Sequence, residues 1–479
     1  MVSINRTYML RSLLFTLLLL WPLLTFGKPS YMVDSAAYQA GGEKAVTIVA
    51  RKLGFVVPPP PQAANTRHAP ADDGTKVARS IVYSVLGYAL GGPGYTMIYL
   101  AVFHALVVAF VLTALFQAVA GPGRRAFAAM AGVTTFGTAL APTVNFAIPD
   151  CFAGLMLAVM MVLPFYWGRF TWPMRGFLLG TAIFSVAVHS SHPPVAAGTA
   201  LVALLWIFLL RRESPERPAV SAAALLVPAV LGLALVMLTG LIGFGSVSVA
   251  PKHHPLALAR GIDNGPARWY LEEECRDRTR YAICEIYGTQ IPRTVQDLLW
   301  SPDNLIRRAT PEQLDRIRAE ERTILIHSAM RYPVQQASIT LHDVPEQFFT
   351  FRINHLVYNR WIARNEQGTI VYRGTGEGEV PALLEWLNVV ALITVIVSTL
   401  LLALWWPRMT VAQRGMILTL ATGLLVNAAV CAIFSGVAPR YQARLIWLVP
   451  FAAIAIGFAR GGWRPGRIAT DNQSGEIIR

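Results

Sequence analysis

Long apolar windows recur along most of this chain, and they constrain its fold more than any other sequence feature. They lie at about 12–27, 95–119, 126–144, 151–167, 175–189, 194–210, 219–245, 383–405, 415–435 and 444–459. A helix needs roughly 20 largely apolar residues to cross a bilayer. The composition agrees, with 54% hydrophobic residues, 14% charged residues and a mean hydropathy of +0.47, whereas a soluble protein carries about 25% charged residues. We expect an all-α polytopic membrane protein with about ten transmembrane helices.

Arginine is distributed unevenly over the loops between these windows. The loops on one side contain Arg124, Arg125, Arg169, Arg175, Arg211, Arg212, Arg217, Arg408 and Arg414. The N-terminal segment and the tail, with Arg6, Arg11, Arg460, Arg464, Arg467 and Arg479, fall on the same side. Because cytoplasmic loops are enriched in Lys and Arg, this pattern predicts a multi-pass protein of a bacterial-type inner (plasma) membrane with both termini in the cytoplasm.

The net charge of +14 comes mostly from these scattered loop residues and not from one basic stripe. We therefore expect contacts with anionic membrane lipids and no nucleic-acid partner. The first window is short and follows Arg11, which also fits a cleaved signal peptide. Since no Ala-x-Ala site follows it, an uncleaved anchor is the favoured interpretation.

The first of two long extracytoplasmic segments, 28–94, interrupts an N-terminal transmembrane bundle over 1–247. It contains a proline-rich spacer at 57–64, which is typical of extended chain. Its last part, 78–88, is apolar enough to lie in the membrane interface.

The second long segment, 248–382, has ordinary soluble composition and predicts a small, mostly helical extracytoplasmic domain, and 383–479 then supplies the C-terminal transmembrane helices and tail. Thr310, followed by a proline and then Gln313, predicts a helix that runs towards Met330. Cys275 and Cys284 lie in this segment, where an oxidising compartment would allow a disulfide, the alternative being two free thiols. An apolar cluster that is expected at the membrane surface consists of Phe348, Phe349, Phe351 and Ile353.

Polar and ionisable side chains collect where the windows emerge on the extracytoplasmic face. They are Asp34, Arg79, Tyr83, Asp150, His189, His192, Lys252, His253, Arg440, Tyr441 and Arg444. Such residues beside a membrane segment are costly and are functional candidates by default. This arrangement predicts an enzyme that works at the membrane surface.

Asp34 and Asp150 are the catalytic candidates because two carboxylates at one depth suit general-base chemistry. They would act without a metal or jointly hold a divalent cation such as Mg²⁺ or Mn²⁺. The alternative for each is a helix cap, which Asp150 after Pro149 resembles.

Arg440, Tyr441 and Arg444 open the final window, and planar guanidinium groups suit phosphate oxygens. The alternative for an arginine at this position is a simple interfacial anchor. The two histidines of 189–192 and the run 252–254 fit substrate-phosphate donors or metal ligands. No matching Cys or Glu accompanies them, which argues against a dedicated zinc site, and His104 is expected to hydrogen-bond between helices.

Taken together, these features resemble polytopic glycosyltransferases of the C superfamily. The resemblance is carried by Asp34 after the first helix, the run from Arg79 to Tyr83, the pair Pro149-Asp150, the large late outer segment and the Arg-Tyr-x-x-Arg run that starts at Arg440. It implies an inverting hexosyl- or pentosyltransferase that takes a sugar from a polyprenyl-phosphate carrier and passes it to an envelope glycan, lipid or protein acceptor. Asp34 would match the catalytic base, Asp150 the second acidic residue, and Arg440 and Arg444 the lipid-phosphate contacts.

One departure from that family concerns the first outer segment. Many members have two adjacent acidic residues there, whereas Asp34 stands alone and the adjacent pair Asp72-Asp73 lies in the spacer. Asp34 is the favoured base, with Asp72 and Asp73 as the fallback. A transporter or flippase, a ligase or polymerase of lipid-linked glycans, and a non-catalytic scaffold are the alternative functions.

Overall fold

The computed structural model describes residues 1–55, 79–211, 216–248, 252–366 and 368–462. Eight of the described helices or helix pairs are long and apolar enough to cross a membrane. They are Arg6–Phe26, Ile98–Ala120, Asp150–Arg169, His192–Leu210, Pro218–Phe244, Ala382–Arg408, Val411–Phe434 and Pro439–Ala459. The fold class, an all-α polytopic membrane protein, is confirmed.

The N-terminal half forms eleven helices in the described residues, and they pack mainly through buried aliphatic and aromatic side chains. They are α1 (Arg6–Leu19), α2 (Trp21–Phe26), α3 (Val33–Lys52), α4 (Ile81–Ala89), α5 (Ile98–Ala120), α6 (Arg124–Phe136), α7 (Leu140–Val144), α8 (Asp150–Tyr166), α9 (Trp172–Ala187), α10 (His192–Leu210) and α11 (Pro218–Phe244). The most deeply buried is α8, all of whose residues are shielded from solvent.

Two of the predicted transmembrane windows are shorter or broken helices. The window 126–144 is divided into α6 and α7, because the helix ends at Gly137 and the Thr138 hydroxyl accepts a hydrogen bond from the Leu140 amide. The window 175–189 becomes α9, which has 16 residues. This difference accounts for eight long spans where the sequence predicts about ten.

The chain passes repeatedly between the two ends of the bundle, and an isolated backbone bridge lies at each end. At one end Val2 pairs with Phe170, and at the other Ser30 pairs with Phe146. We call the second the Ser30 end. Asp34 and Asp150 each follow within a few residues of that bridge, so both predicted carboxylates lie at the Ser30 end.

The first outer segment forms a tight pair of helices, α3 and α4. A side chain at Gly42 would overlap the backbone oxygen of Ser84, so only glycine permits this approach. The predicted spacer 57–64 and the fallback residues Asp72 and Asp73 lie outside the described residues.

The second outer segment begins with a helical unit that has a hydrophobic core of its own. Its helices are α12 (Leu256–Asp263), α13 (Pro266–Glu274), α14 (Ala282–Tyr287), α15 (Leu305–Arg308) and α16 (Pro311–Arg331). A disulfide joins Cys275 to Cys284, with the Cα atoms 5.0 Å apart. The predicted helix after Thr310 is confirmed, because the Thr310 and Gln313 side chains form a reciprocal capping box at the start of α16.

The rest of that segment packs against the membrane bundle and the first outer segment. It contains α17 (Pro333–Phe349) and the antiparallel strands β1 (Arg360–Arg364) and β2 (Ile370–Gly374). The Ser30 hydroxyl donates to the Val357 carbonyl at 2.9 Å, and Arg364 forms an ion pair with Glu43 of α3. The predicted apolar cluster is therefore only partly at the surface: Ile353 is buried, whereas Phe349 is exposed.

Four helices complete the described chain. They are α18 (Ala382–Trp405), α19 (Val411–Phe434), α20 (Pro439–Ile446) and α21 (Leu448–Gly462). The short helix α20 and the longer α21 together form the final span, and α20 brings Arg440, Tyr441 and Arg444 against α8 and α19.

Candidate active site

The first element of the site is an ion pair between Asp34 and Arg79, whose side chains are 17% and 22% exposed. Asp34 lies in the first turn of α3, and Arg79 precedes Ser80, the N-cap of α4. The Ser80 hydroxyl donates to the Ala187 carbonyl at 2.8 Å, which fixes the start of α4 at the Ser30 end. The close packing of α3 and α4 thus places a carboxylate and a guanidinium side by side in partial contact with solvent.

The second element is an ion pair between Asp150 and Arg444, with 3.3 Å between carboxylate and guanidinium. Its side chains are only 3% and 1% exposed. Pro149 occupies the N-cap position of α8, and Asp150 lies in the first turn of the helix. Asp150 therefore occupies a position that suits the helix dipole, as the capping alternative implies, and it also has a cationic partner that is distant in sequence.

Arg444 lies at the centre of a buried polar network. It donates to Asn427 Oδ1 at 3.0 Å and to Ser191 Oγ at 3.3 Å. Ser191 Oγ in turn lies 2.9 Å from His189 Nδ1. The structure therefore connects the predicted residues Asp150, His189 and Arg444.

Arg440 is the cation that lacks a carboxylate partner within salt-bridge distance in the described part of the chain. Its guanidinium lies 5.0 Å from the ring of Tyr441 and contacts the sulfur of Met32 at 2.7 Å. Asp34 and Asp150 are both close enough for their charges to act on it. The three arginines of the site exceed its two aspartates, which leaves one positive charge for an anionic ligand.

His192 and Tyr83 are fully buried and belong to neither ion pair. His192 is fully buried and its Nδ1 donates to the Ser185 carbonyl at 2.6 Å, while its Nε2 has no described partner. Tyr83 is fully buried, and its hydroxyl lies 3.2 Å from Nε2 of His104. His104 Nδ1 also bonds the Val144 carbonyl at 3.1 Å, so His104 has the interhelical packing role that the sequence predicted.

Lys252 and His253 are placed in the outer helical unit. Lys252 forms an ion pair with Asp315 at 2.8 Å, and His253 Nε2 lies 2.8 Å from a Glu321 carboxylate oxygen. The neighbouring His254 is the residue of this run on which the charge of Arg79 acts; burial, reinforced by that charge, lowers the pKa of His254 to about 3. His254 therefore lies near the site, whereas the predicted residues Lys252 and His253 are paired with acidic residues of the outer helical unit.

His355 is a site residue that the sequence does not reveal. It lies in the loop before β1, and its ring is 5.2 Å from the ring of Phe146. It has no hydrogen bond to any described residue, and burial next to Arg440 lowers the pKa of its imidazole to about 4 despite the opposing charge of Asp150. His355 is therefore a neutral group beside the unpaired Arg440. Its only sequence signal is a histidine within the outer segment, close to the apolar cluster.

The sequence suggests Asp34 and Asp150 as ligands of a shared divalent cation, and the charges around them decide whether they fit one. Each carboxylate already has an arginine partner, and a third arginine lies nearby. A divalent cation would meet three positive charges and would have to displace an arginine from each ligand. These residues do not fit a shared metal ion, and no catalytic step is assigned to one.

In comparisons with known proteins, no protein-family model, no curated protein and no solved structure matches this chain. The chemistry of the site must therefore be argued from its own residues.

Proposed function

We propose that this protein is an integral-membrane glycosyltransferase that moves a sugar from a polyprenyl-phosphate carrier to an envelope glycan, lipid or protein acceptor. The observation that carries the proposal is Arg440, a half-buried cation without a salt-bridge partner among the described residues, on which the charges of both Asp34 and Asp150 act. The single excess positive charge matches the single negative charge of a phosphodiester. Arginine is suited to this role because its planar donors match phosphate oxygens.

Asp34 is the proposed general base, since it belongs to the more exposed of the two ion pairs. An acceptor hydroxyl oxygen attacks the anomeric carbon, the bond from that carbon to the phosphate oxygen breaks, and the hydroxyl proton moves to Asp34. The departing phosphate gains one negative charge while Asp34 loses one, so the total charge of the site is unchanged. Attack opposite to the leaving group inverts the anomeric centre.

Asp34 can act as the base once it is released from its ion pair with Arg79. A phosphate that binds at Arg440 competes with Asp34 for the Arg79 guanidinium, which frees a carboxylate oxygen for the acceptor. Arg440 and Arg79 then stabilise the leaving phosphate. The neutral imidazole of His355 can donate or accept a hydrogen bond without adding charge.

We further propose that the Ser30 end faces the outside of a bacterial-type inner membrane and that both termini are cytoplasmic. The support is the arginine of the short loops between the spans: the short loops at the opposite end contain it, whereas the short loops at the Ser30 end, 137–149, 188–191 and 435–438, contain neither Arg nor Lys. There Arg175 lies over the rings of Trp167 and Trp172 at 4.8 and 4.5 Å. Basic and aromatic side chains of this kind are typical of a cytoplasmic membrane interface.

The transporter alternative is less well supported by the described residues. Transporters place ionisable and polar groups near the middle of the membrane. Here Asn427 donates to the Tyr441 carbonyl at 2.8 Å and so belongs to the site at the Ser30 end, and both nitrogens of His104 are hydrogen-bonded. A ligase of lipid-linked glycans would use the same arginines. Its requirement for a diphosphate-linked donor distinguishes it from the proposed transferase.

The test is mass spectrometry of envelope glycans and glycolipids from a deletion strain that carries either the wild-type chain or Asp34→Asn at matched expression. A matched control is Asp315→Asn, which makes the same chemical change in the outer helical unit. We expect one sugar to be lost in the deletion strain and restored by wild type and Asp315→Asn but not by Asp34→Asn. Full rescue by Asp34→Asn would remove Asp34 as the base and favour the transporter or ligase.

A further inference from the structure

Helix α17 (Pro333–Phe349) has its polarity reversed relative to a helix on a water-soluble domain. Its protein-facing side contains Asp343 and Gln347, which are 9% and 0% exposed. The opposite side contains Val334, Leu341 and Phe349, which are 75%, 76% and 75% exposed. At 3.6 residues per turn these three apolar residues share one face, roughly opposite Asp343 and Gln347.

The buried polar residues are satisfied by specific partners. Asp343 accepts a hydrogen bond from Arg260 of α12 at 2.7 Å. The Gln347 side chain donates to the Ala438 carbonyl at 3.1 Å and accepts from the Ala438 amide at 2.7 Å. The polar face is thus fixed to the protein, and the apolar face is held outward.

The apolar face continues an exposed apolar surface of the membrane bundle. Helix α17 packs along α19, whose last residues include the exposed Ile433 and Phe434. Met330, near the end of α16 and four residues before Val334, is also exposed. Because α19 is a membrane span, a surface continuous with its outer end lies at the level where acyl chains begin.

We propose that α17 lies in the outer-leaflet interface with its apolar face against lipid acyl chains, and that it thereby holds the Arg440 segment at the depth of lipid phosphates. Gln347 provides the connection, since it binds both backbone groups of Ala438, two residues before Arg440. This inference does not depend on the transferase reaction.

A second copy of the chain is the competing occupant. One face of a 17-residue helix covers roughly 250 Å², because such a helix is about 25 Å long and about 10 Å wide. A stable dimer buries about 800 Å² on each partner. A dimer through this face would therefore need further contact area from other elements, whereas contact with lipid needs none.

The test uses the full chain in liposomes of phosphatidylethanolamine and phosphatidylglycerol, with a nitroxide attached at Leu341→Cys. The matched control is Glu346→Cys, which is exposed on a different side of the same helix. We expect the label at 341 to collide mainly with oxygen and the label at 346 mainly with a water-soluble nickel chelate, with collision ratios that differ at least about threefold. Equal nickel access at both positions would overturn lipid contact. Spin–spin broadening at 341 that disappears on dilution with unlabelled protein would also overturn it, in favour of a second copy.

The connection to the site is tested with a label at Val437→Cys, with and without Gln347→Ala. We expect Gln347→Ala to increase the mobility of the label at 437 and to leave the oxygen access of a label at 341 unchanged. Unchanged mobility at 437 would overturn the positioning role while leaving the lipid contact intact. Since neither measurement uses catalysis, failure here is distinguishable from failure of the proposed reaction.

Discussion

Removing one partner of the Asp150–Arg444 pair should destabilise the fold far more than removing one partner of the Asp34–Arg79 pair. Asp150 and Arg444 are almost fully buried and their charged atoms are 3.3 Å apart. With an effective dielectric constant of about 20, the attraction at that distance is about 5 kcal/mol. The other hydrogen-bond partners of Arg444 among the described residues, Asn427, Ser191 and Cys431, are neutral.

We therefore expect Asp150→Asn to lower the free energy of unfolding by about 3–5 kcal/mol, because it leaves the Arg444 charge buried without a counter-ion. Asp34→Asn breaks a partly solvated pair and should cost about 1 kcal/mol or less. The double variant Asp150→Asn with Arg444→Met removes both charges and should recover much of the stability that the single variant loses.

Reversible unfolding in mixed micelles with increasing SDS, followed by tryptophan fluorescence, would measure these differences. The double variant is the control, since it separates the cost of an unpaired charge from the cost of losing contacts. Equal destabilisation by Asp34→Asn and Asp150→Asn would refute the reasoning, as would a double variant no more stable than Asp150→Asn.

Two further predictions concern packing and pH. Gly42→Ala should destabilise the α3–α4 pair by about 1–3 kcal/mol and reduce activity, because the new methyl group overlaps the Ser84 backbone. Thermal unfolding would measure this, with Gly132→Ala as the control, since a Cβ there meets no neighbour within 4 Å. Equal destabilisation by the two substitutions would contradict the prediction. His355 has a pKa of about 4, below the ordinary value of 6.5. As the pH falls from 6.5 to 4, this histidine is therefore protonated in the unfolded chain before it is protonated in the folded chain. The wild type should lose up to about 3 kcal/mol of stability from this residue between pH 6.5 and pH 4, and His355→Gln should show a shallower loss over the same range; identical pH profiles would contradict the assignment.

The sequence predicts which groups collect at one end of the bundle but not which of them pair. Hydropathy and the arginine distribution determine where each apolar window begins, and so the depth of Asp34, Asp150 and Arg440 follows from local pattern. The pairs themselves join residues 45 and 294 positions apart. No local pattern specifies such contacts, because they depend on how the helices pack.

The same limit explains the differences at other residues. A hydropathy window does not reveal the break at Gly137 that divides α6 from α7, since the residues on either side are equally apolar. In the run 252–254, loop conformation decides that Lys252 and His253 bind acidic residues of α16 while His254 approaches Arg79. His355 was not predicted because its role arises from the folding of its loop onto Phe146.

The difference in burial between the two ion pairs is what assigns them different tasks. In the proposed reaction the base exchanges its arginine partner for an acceptor hydroxyl, and a pair whose side chains are 17% and 22% exposed can do so because water and substrate reach the same atoms. A pair exposed by 3% and 1% cannot separate without leaving two charges in a medium of low dielectric constant. Asp150 and Arg444 therefore hold α8 against α20, and this fixes the direction in which α20 presents Arg440. The charge of Arg440, which we propose selects a phosphate, is thus maintained by a neighbouring charge pair that does not open.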